Sequence, residues 1–136
     1  MNQLKRGQKE ILESKLEVFE NINKHRDYEI SITSSEFTCL CPKTGYPDFA
    51  TITINYIPDE YCFELKSVKL YINKFRDVGI FHEEVVNKIL EDLIEVGKPR
   101  WLQILGDFNP RGNVKTIVKA EYIKPGFEHK NLHSSS

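Results

Sequence analysis

An α+β fold, with a four-stranded antiparallel sheet carrying two helices on one face, is predicted by three features of the sequence. Two alternating runs precede residue 60, helical spacing of apolar residues occupies 66–96, and two more alternating runs follow residue 100. The first run, 28–41, alternates loosely and ends where Pro42 removes a backbone donor. The second, 49–58, alternates more cleanly and puts Ile52, Ile54 and Tyr56 on one face, so Gly45-Tyr46-Pro47-Asp48 reads as the turn of a hairpin. A short helix is expected over 66–74, where Val68, Leu70, Tyr71 and Phe75 recur at near-helical spacing before Gly79. Val85, Val86, Ile89, Leu90, Leu93 and Ile94 mark a longer helix over 81–96, ended by Gly97 and Pro99. Strands over 101–108 and 116–123 flank the loop Asn109-Pro110-Arg111-Gly112-Asn113. The order is strand, strand, helices, strand, strand. Residues 1–24, polar with scattered apolar positions, read as an N-terminal arm; 25–127 as one domain; and 128–136 as a mobile tail.

Composition narrows the function classes. A chain of 136 residues with 40% apolar and 11% aromatic content suits one globular domain. Nineteen Lys and Arg against 20 Asp and Glu give a formal charge of −1, so no overall basic field exists to hold a nucleic-acid backbone. Cys39, Cys41 and Cys62 are odd in number and lack the spacing of a secreted disulfide scaffold. With no apolar signal core at the start and no run long enough to span a bilayer, the expectation is a reducing cytoplasm and no membrane.

The chemistry-bearing stretch is Leu40-Cys41-Pro42-Lys43-Thr44-Gly45, with Asp48 seven residues after the cysteine. Only a thiolate attacks, and a turn that exposes backbone N–H groups beside a cationic lysine favours that form. Asp48 is then a candidate proton donor or acceptor for the sulfur. Taken without context, Cys41 is as readily a small packed strand-end residue, and Asp48 a turn residue beside Pro47. Cys39 and Cys62 read as structural. His82 and Glu83 are polar groups at a helix start, and Lys66, Ser67 and Lys69 sit near the start of the shorter helix. Arg111 is a candidate anion contact or an ordinary hairpin charge. No G-x-G-x-x-G occurs, which argues against a doubly wound dinucleotide-binding domain.

Three blocks in order, Leu40-Cys41-Pro42-Lys43-Thr44-Gly45, Glu64-Leu65-Lys66-Ser67-Val68-Lys69-Leu70-Tyr71 and Phe81-His82-Glu83, closely resemble the NADPH-dependent 7-cyano-7-deazaguanine reductases of queuosine biosynthesis. The resemblance spans roughly residues 35–125. It implies a tunnelling fold, in which sheets of several subunits close into a barrel, and a homo-oligomer of two stacked pentamers with sites at subunit interfaces. It implies reduction of a nitrile to a primary amine with two NADPH, Cys41 forming a covalent thioimide and Asp48 serving as proton donor. Burial against apolar neighbours such as Phe49 would raise the Asp48 carboxyl for that task. Glu83 and His82 are implied in holding the purine-like base, Glu64 in the substrate pocket, and Lys66, Ser67 and Lys69 in binding NADPH, with Arg111 as a second anion contact. After Gly112 a second glycine is expected where Asn113 stands.

Two other readings compete. A zinc hydrolase of the GTP cyclohydrolase type would use Cys39, Cys41 and His82 as ligands, but Cys-x-Cys with a distant His fits less well than a nucleophile with its acid, and no metal is expected. A non-catalytic purine or pterin binder would use Glu83 alone.

Overall fold

The computed structural model describes residues 15–128, which run as β1 (Val18–Glu20), β2 (Ile30–Leu40), β3 (Pro47–Ile57), β4 (Tyr61–Phe63), α1 (Leu65–Asn73), a 3-10 turn (Lys74–Asp77), α2 (His82–Gly97), β5 (Trp101–Phe108) and β6 (Ile117–Ile123). β2, β3, β5 and β6 make one sheet in that order, every pairing antiparallel. This is the strand–strand–helices–strand–strand order expected from the sequence. The difference lies in β1 and β4, a small second sheet pairing Val18–Glu20 with Tyr61–Phe63. Val18–Glu20 falls within the stretch read as an appendage, and three-residue strands carry too little periodicity to be seen in a sequence. Asn21 anchors the same segment: it is buried, its side-chain amide donates to the Asp59 carbonyl at 2.8 Å, and its Oδ1 accepts from the Tyr28 hydroxyl at 2.6 Å.

The loose alternation of β2 has a structural cause. Ile30, Ile32 and Ser34 pair with Tyr56, Ile54 and Ile52, whereas Phe37 and Cys39 pair with Ala50 and Asp48. Ser35 and Glu36 therefore lie opposite Thr51 alone, a β-bulge that reverses which parity of β2 faces the core. Before it the even positions point inward; after it Phe37 and Cys39 do, at 1% and 0% exposure. Cys41 continues that odd parity.

Both helices cover one face of the sheet. Val68, Tyr71 and Ile72 of α1 and Val85, Val86, Ile89, Leu90 and Leu93 of α2 join Ile52, Ile54, Tyr56, Leu102, Ile104 and Phe108 in a single core. Full burial of a side chain such as Ile89 or Leu93 contributes about 1.5–3 kcal/mol over leaving it exposed. The other face is polar along its middle, where the Ser31 hydroxyl donates to Asn55 and the Asn55 amide to Gln103. α2 ends one residue later than expected: Gly97 is its last residue, and Lys98 takes the left-handed cap at φ 45°. Gly97 is required for space, because a Cβ there would overlap the Phe63 ring.

One connection brings the start of α2 to the end of β2. After the 3-10 turn, residues 78–80 run parallel to the end of β2: Leu40 N–H donates to the Val78 carbonyl at 2.9 Å and Ile80 N–H to the Leu40 carbonyl at 3.0 Å. Phe81, His82 and Glu83 follow directly, beside Cys41.

Candidate active site

Cys41 opens the turn that joins β2 to β3. Gly45 N–H donates to the Cys41 carbonyl and Cys41 N–H to the Tyr46 carbonyl, each at 2.8 Å, and Gly45 takes φ +75°, which a residue without a Cβ adopts freely. The reversal folds donors back onto the sulfur. The Thr44 hydroxyl, then the backbone N–H groups of Thr44 and Lys43, hold the Cys41 thiol below its ordinary 9.0, against a smaller opposing effect of desolvation and of Asp48. Cys39, two residues earlier, is the contrast. Burial, aided by Asp48 and Cys41, pushes its thiol up to about 11. Of the two cysteines on this face, only Cys41 has the environment of a nucleophile.

Asp48 pairs across the hairpin with Cys39 and points inward with only 5% of its surface exposed. Its surroundings are cationic, not the apolar ones the sequence suggested. Arg111 Nη1 donates to Oδ1 at 2.6 Å, and His82 Nε2 lies 3.1 Å from Oδ2, ion-pair distance when the imidazole is protonated. Phe49, its chain neighbour, faces the opposite way and is half-exposed, as strand alternation requires.

Arg111 is presented by a tight hairpin closed by reciprocal hydrogen bonds between Arg111 and Val114 at 2.9 and 3.0 Å. Gly112 and Asn113 both take positive φ, 57° and 68°, the pattern of a two-residue type I′ turn. Asn113 thus fills the place where a second glycine was expected, since asparagine tolerates the left-handed region. The guanidinium also lies over the Tyr46 ring, 5.8 Å from its centroid, and the Asp48 carboxylate holds it firmly protonated.

His82 is the first residue of α2 and stacks flat on Phe108, with centroids 3.8 Å apart and planes 7° from parallel. That leaves the ring little freedom except to face Asp48. Glu83, exposed in the first turn of the same helix, sits where a carboxylate is favoured by the helix dipole. Cys41, Asp48, His82, Glu83 and Arg111 together line one open cavity of about 220 Å³. Sequence reasoning missed four of its contributors: Pro42, Thr44 and Phe81 on its wall, and Phe108 beneath His82. Thr44 and Phe81 stand inside the recognised motifs, so their position was visible although their role was not. Phe108 carried no local signal.

The remaining predicted residues lie apart from this cavity, at the start of α1. Glu64 is the helix N-cap, its carboxylate accepting from Lys66 N–H at 3.0 Å and Ser67 N–H at 2.6 Å, and these bonds hold its carboxyl below the ordinary 4.5. Ser67 is buried, accepting from Glu17 N–H at 2.9 Å and donating to the Glu64 carbonyl at 2.8 Å. These two residues thus serve the helix end and the β1 connection. The Lys66 and Ser67 amides at the start of α1 are thus both engaged by the Glu64 carboxylate. Lys66 and Lys69 are both exposed, and Lys69 lines a cleft of about 230 Å³ between α1 and β2. Cys62 is buried under Tyr28. Among the described residues no three His, Cys, Asp or Glu side chains converge as a metal site; Cys39 Sγ turns toward the Ile80 carbonyl and His82 toward Asp48. No helix among them is long and apolar enough to cross a membrane.

The profile of the QueF-like protein family matches residues 47–126. An NADPH-dependent 7-cyano-7-deazaguanine reductase of Aquifex aeolicus (strain VF5) is 56% identical over 115 residues, covering 85% of this chain and 89% of the relative. The chain belongs to this reductase family. Reductases of the same name from Prochlorococcus marinus (strain NATL2A) and Microcystis aeruginosa (strain NIES-843 / IAM M-2473) are 56% and 50% identical, covering 83% and 90% of this chain and 81% and 93% of theirs. Among solved structures, the apo form of an archaeosine synthase QueF-Like superposes with a TM-score of 0.65 over 68% of this chain and 91% of its own. At 20% identity it speaks for the fold alone.

Proposed function

We propose that this chain reduces the nitrile of 7-cyano-7-deazaguanine to the aminomethyl group, using two NADPH and a covalent thioimide on Cys41. The observation that carries the reading is the convergence of Cys41, whose thiol is held below its ordinary range, with Asp48, His82 and Glu83 on one cavity. Glu83 offers two carboxylate oxygens to adjacent N–H donors of the base, which aims the nitrile carbon at Cys41 Sγ. His82, fixed on Phe108, hydrogen-bonds the substrate or the emerging amine.

The proton inventory centres on Asp48. Ion-paired with Arg111, Asp48 takes the thiol proton from Cys41 and, when the sulfur adds to the nitrile carbon, returns that proton to the nitrogen, giving the neutral thioimide. NADPH, when bound, would supply two hydrides in turn, the first to the thioimide carbon, so that loss of the Cys41 thiolate leaves an imine, and the second to the imine carbon, with water supplying one proton to restore the thiol and one to the amine nitrogen. Lys66 and Lys69, exposed at the start of α1, and Arg111 on the cavity rim supply the cations a pyridine dinucleotide phosphate needs. Glu64 and Ser67 hold that helix start in place rather than touching the ligands within one chain. In the assembled protein, α1 of one subunit would approach the Cys41 cavity of the next, in a tunnelling-fold barrel of two pentamers that acts on the free base and works in the cytoplasm without binding nucleic acid.

The test is NADPH oxidation dependent on the nitrile base, with intact-protein mass spectrometry for the adduct. We expect two NADPH consumed per amine, an adduct of one base, and loss of both in Cys41→Ala with the fold retained. Binding of the base without NADPH oxidation by the wild-type chain would point to a non-catalytic binder.

A further inference from the structure

We propose that Arg111 is a positioning residue of this site: by holding Asp48 Oδ1 it orients the carboxylate and reserves Oδ2, the oxygen facing His82, for the proton that Cys41 gives up. The proposal rests on the roles of Cys41 and Asp48 in the reading above, and adds which oxygen carries the proton and what fixes that choice. Arg111 Nη1 donates to Oδ1 at 2.6 Å, whereas His82 Nε2 lies 3.1 Å from Oδ2. The two partners differ in kind. A guanidinium has donors only and keeps its charge in a protein, while an imidazole nitrogen donates or accepts according to its protonation. A protonated carboxyl has one carbonyl oxygen and one hydroxyl oxygen, and the carbonyl is the better acceptor. The charge-assisted bond from Arg111 therefore keeps Oδ1 as the carbonyl and sends the proton to Oδ2, where neutral His82 Nε2 can accept the new O–H.

The surroundings fix this arrangement. Asp48 is 5% exposed, so its oxygens are satisfied by protein groups and not by bulk water. Arg111 stands on the hairpin closed by its own main-chain bonds to Val114, and its guanidinium also lies over the ring of Tyr46, in the turn that carries Cys41. His82 is held flat on Phe108. Glu83, the remaining charged group on the cavity wall, is a carboxylate and cannot replace the guanidinium. Because the bonds that close the hairpin are main-chain and the Arg111 side chain is exposed, changing that side chain leaves the hairpin closed.

The experiment measures adduct formation between the full chain and 7-cyano-7-deazaguanine by intact-protein mass spectrometry, over time and across base concentrations. NADPH is left out, so any part the guanidinium plays in cofactor binding does not enter. In Arg111→Met the rate at saturating base is expected to fall about 100-fold, with the half-saturating concentration unchanged. In an Asp48→Asn background, already slow, adding Arg111→Met is expected to cost nothing further, whereas a residue that merely supports the fold would show the same loss in both backgrounds. A crystal structure of Arg111→Met is expected to show the Asp48 carboxylate turned from its wild-type orientation. A wild-type rate in Arg111→Met, equal losses with and without the Asp48 carboxylate, or an unmoved carboxylate would each overturn the proposal and leave the reductase reading intact. No adduct in the wild-type chain would overturn that reading, and the proton route with it, while the crystal structure would still judge whether Arg111 orients Asp48.

Discussion

At the scale of single residues, the site separates groups whose role follows from their own chemistry from groups whose role is set by what they touch. Cys41 belongs to the first kind. The cysteine, the proline and glycine of its turn and the carboxylate at 48 are consecutive enough to be read together, and the turn forms as that reading implies. Glu64 belongs to the second. It stands in a motif that suggests ligand contact, yet its carboxylate caps α1. A carboxyl depressed below 4.5 contributes stability that is present above that pH and lost as pH falls through its folded value. The Tm difference between wild type and Glu64→Gln should therefore be largest at neutral pH and shrink toward acid. A gap that stays constant from pH 7 into the acid range would mean the charge of the cap is irrelevant. No spacing rule distinguishes a capping glutamate from a binding one, because N-caps and ligand contacts use the same atoms.

At the scale of elements, the register of β2 and the seating of α2 decide whether the site exists. The bulge at Ser35 and Glu36 turns Phe37, Cys39 and then Cys41 toward the helices. Without it, the parity set by Ile30 and Ile32 would face Cys41 away from Asp48, His82 and Glu83. The α2 stripe was legible, since six apolar positions repeat at helical spacing, and its start beside β2 was not, because it depends on hydrogen bonds from Leu40 to residues 78–80. The depth at which α2 sits is controlled by Gly106 of β5. A Cβ there would come 2.7 Å from Val86 Cγ2 and 2.9 Å from Phe108 Cε2. Gly106→Ala is expected to cost about 1–3 kcal/mol by overpacking and, by displacing Phe108 under His82, to lower kcat more than the loss of stability alone explains. Denaturant unfolding alongside steady-state rates checks this; a variant as stable and active as wild type would show that the contact relaxes freely.

For the whole molecule, one chain leaves much unfinished. The four-stranded sheet has open edges at β2 and β6, and Ile117 and Ile123 on β6 are exposed, with Phe19 and Leu65 exposed on the other side. Unpaired strand edges carrying apolar side chains pair with something or aggregate. Lys66 and Lys69 stand away from the Cys41 cavity within one chain, so a site using both sets of residues needs a second copy. Light scattering on the purified protein should give a homo-oligomer, ten chains for two pentamers, and activity should fall on dilution below the assembly's dissociation range. A fully active monomer would remove the shared-site reading. What the sequence by itself determined is whatever is encoded over a few residues: the α+β class and element order from periodicity, the reactive turn from Cys41 to Gly45, and membership of the reductase family from its motifs. The tertiary structure alone decided that Cys41 faces the helices, that Arg111 and His82 clasp Asp48, and that Glu64 caps α1 while Ser67 ties its start to β1. Those facts follow from a bulge, an edge pairing and contacts between groups up to 63 positions apart, and no local pattern along a chain encodes the geometry of distant partners.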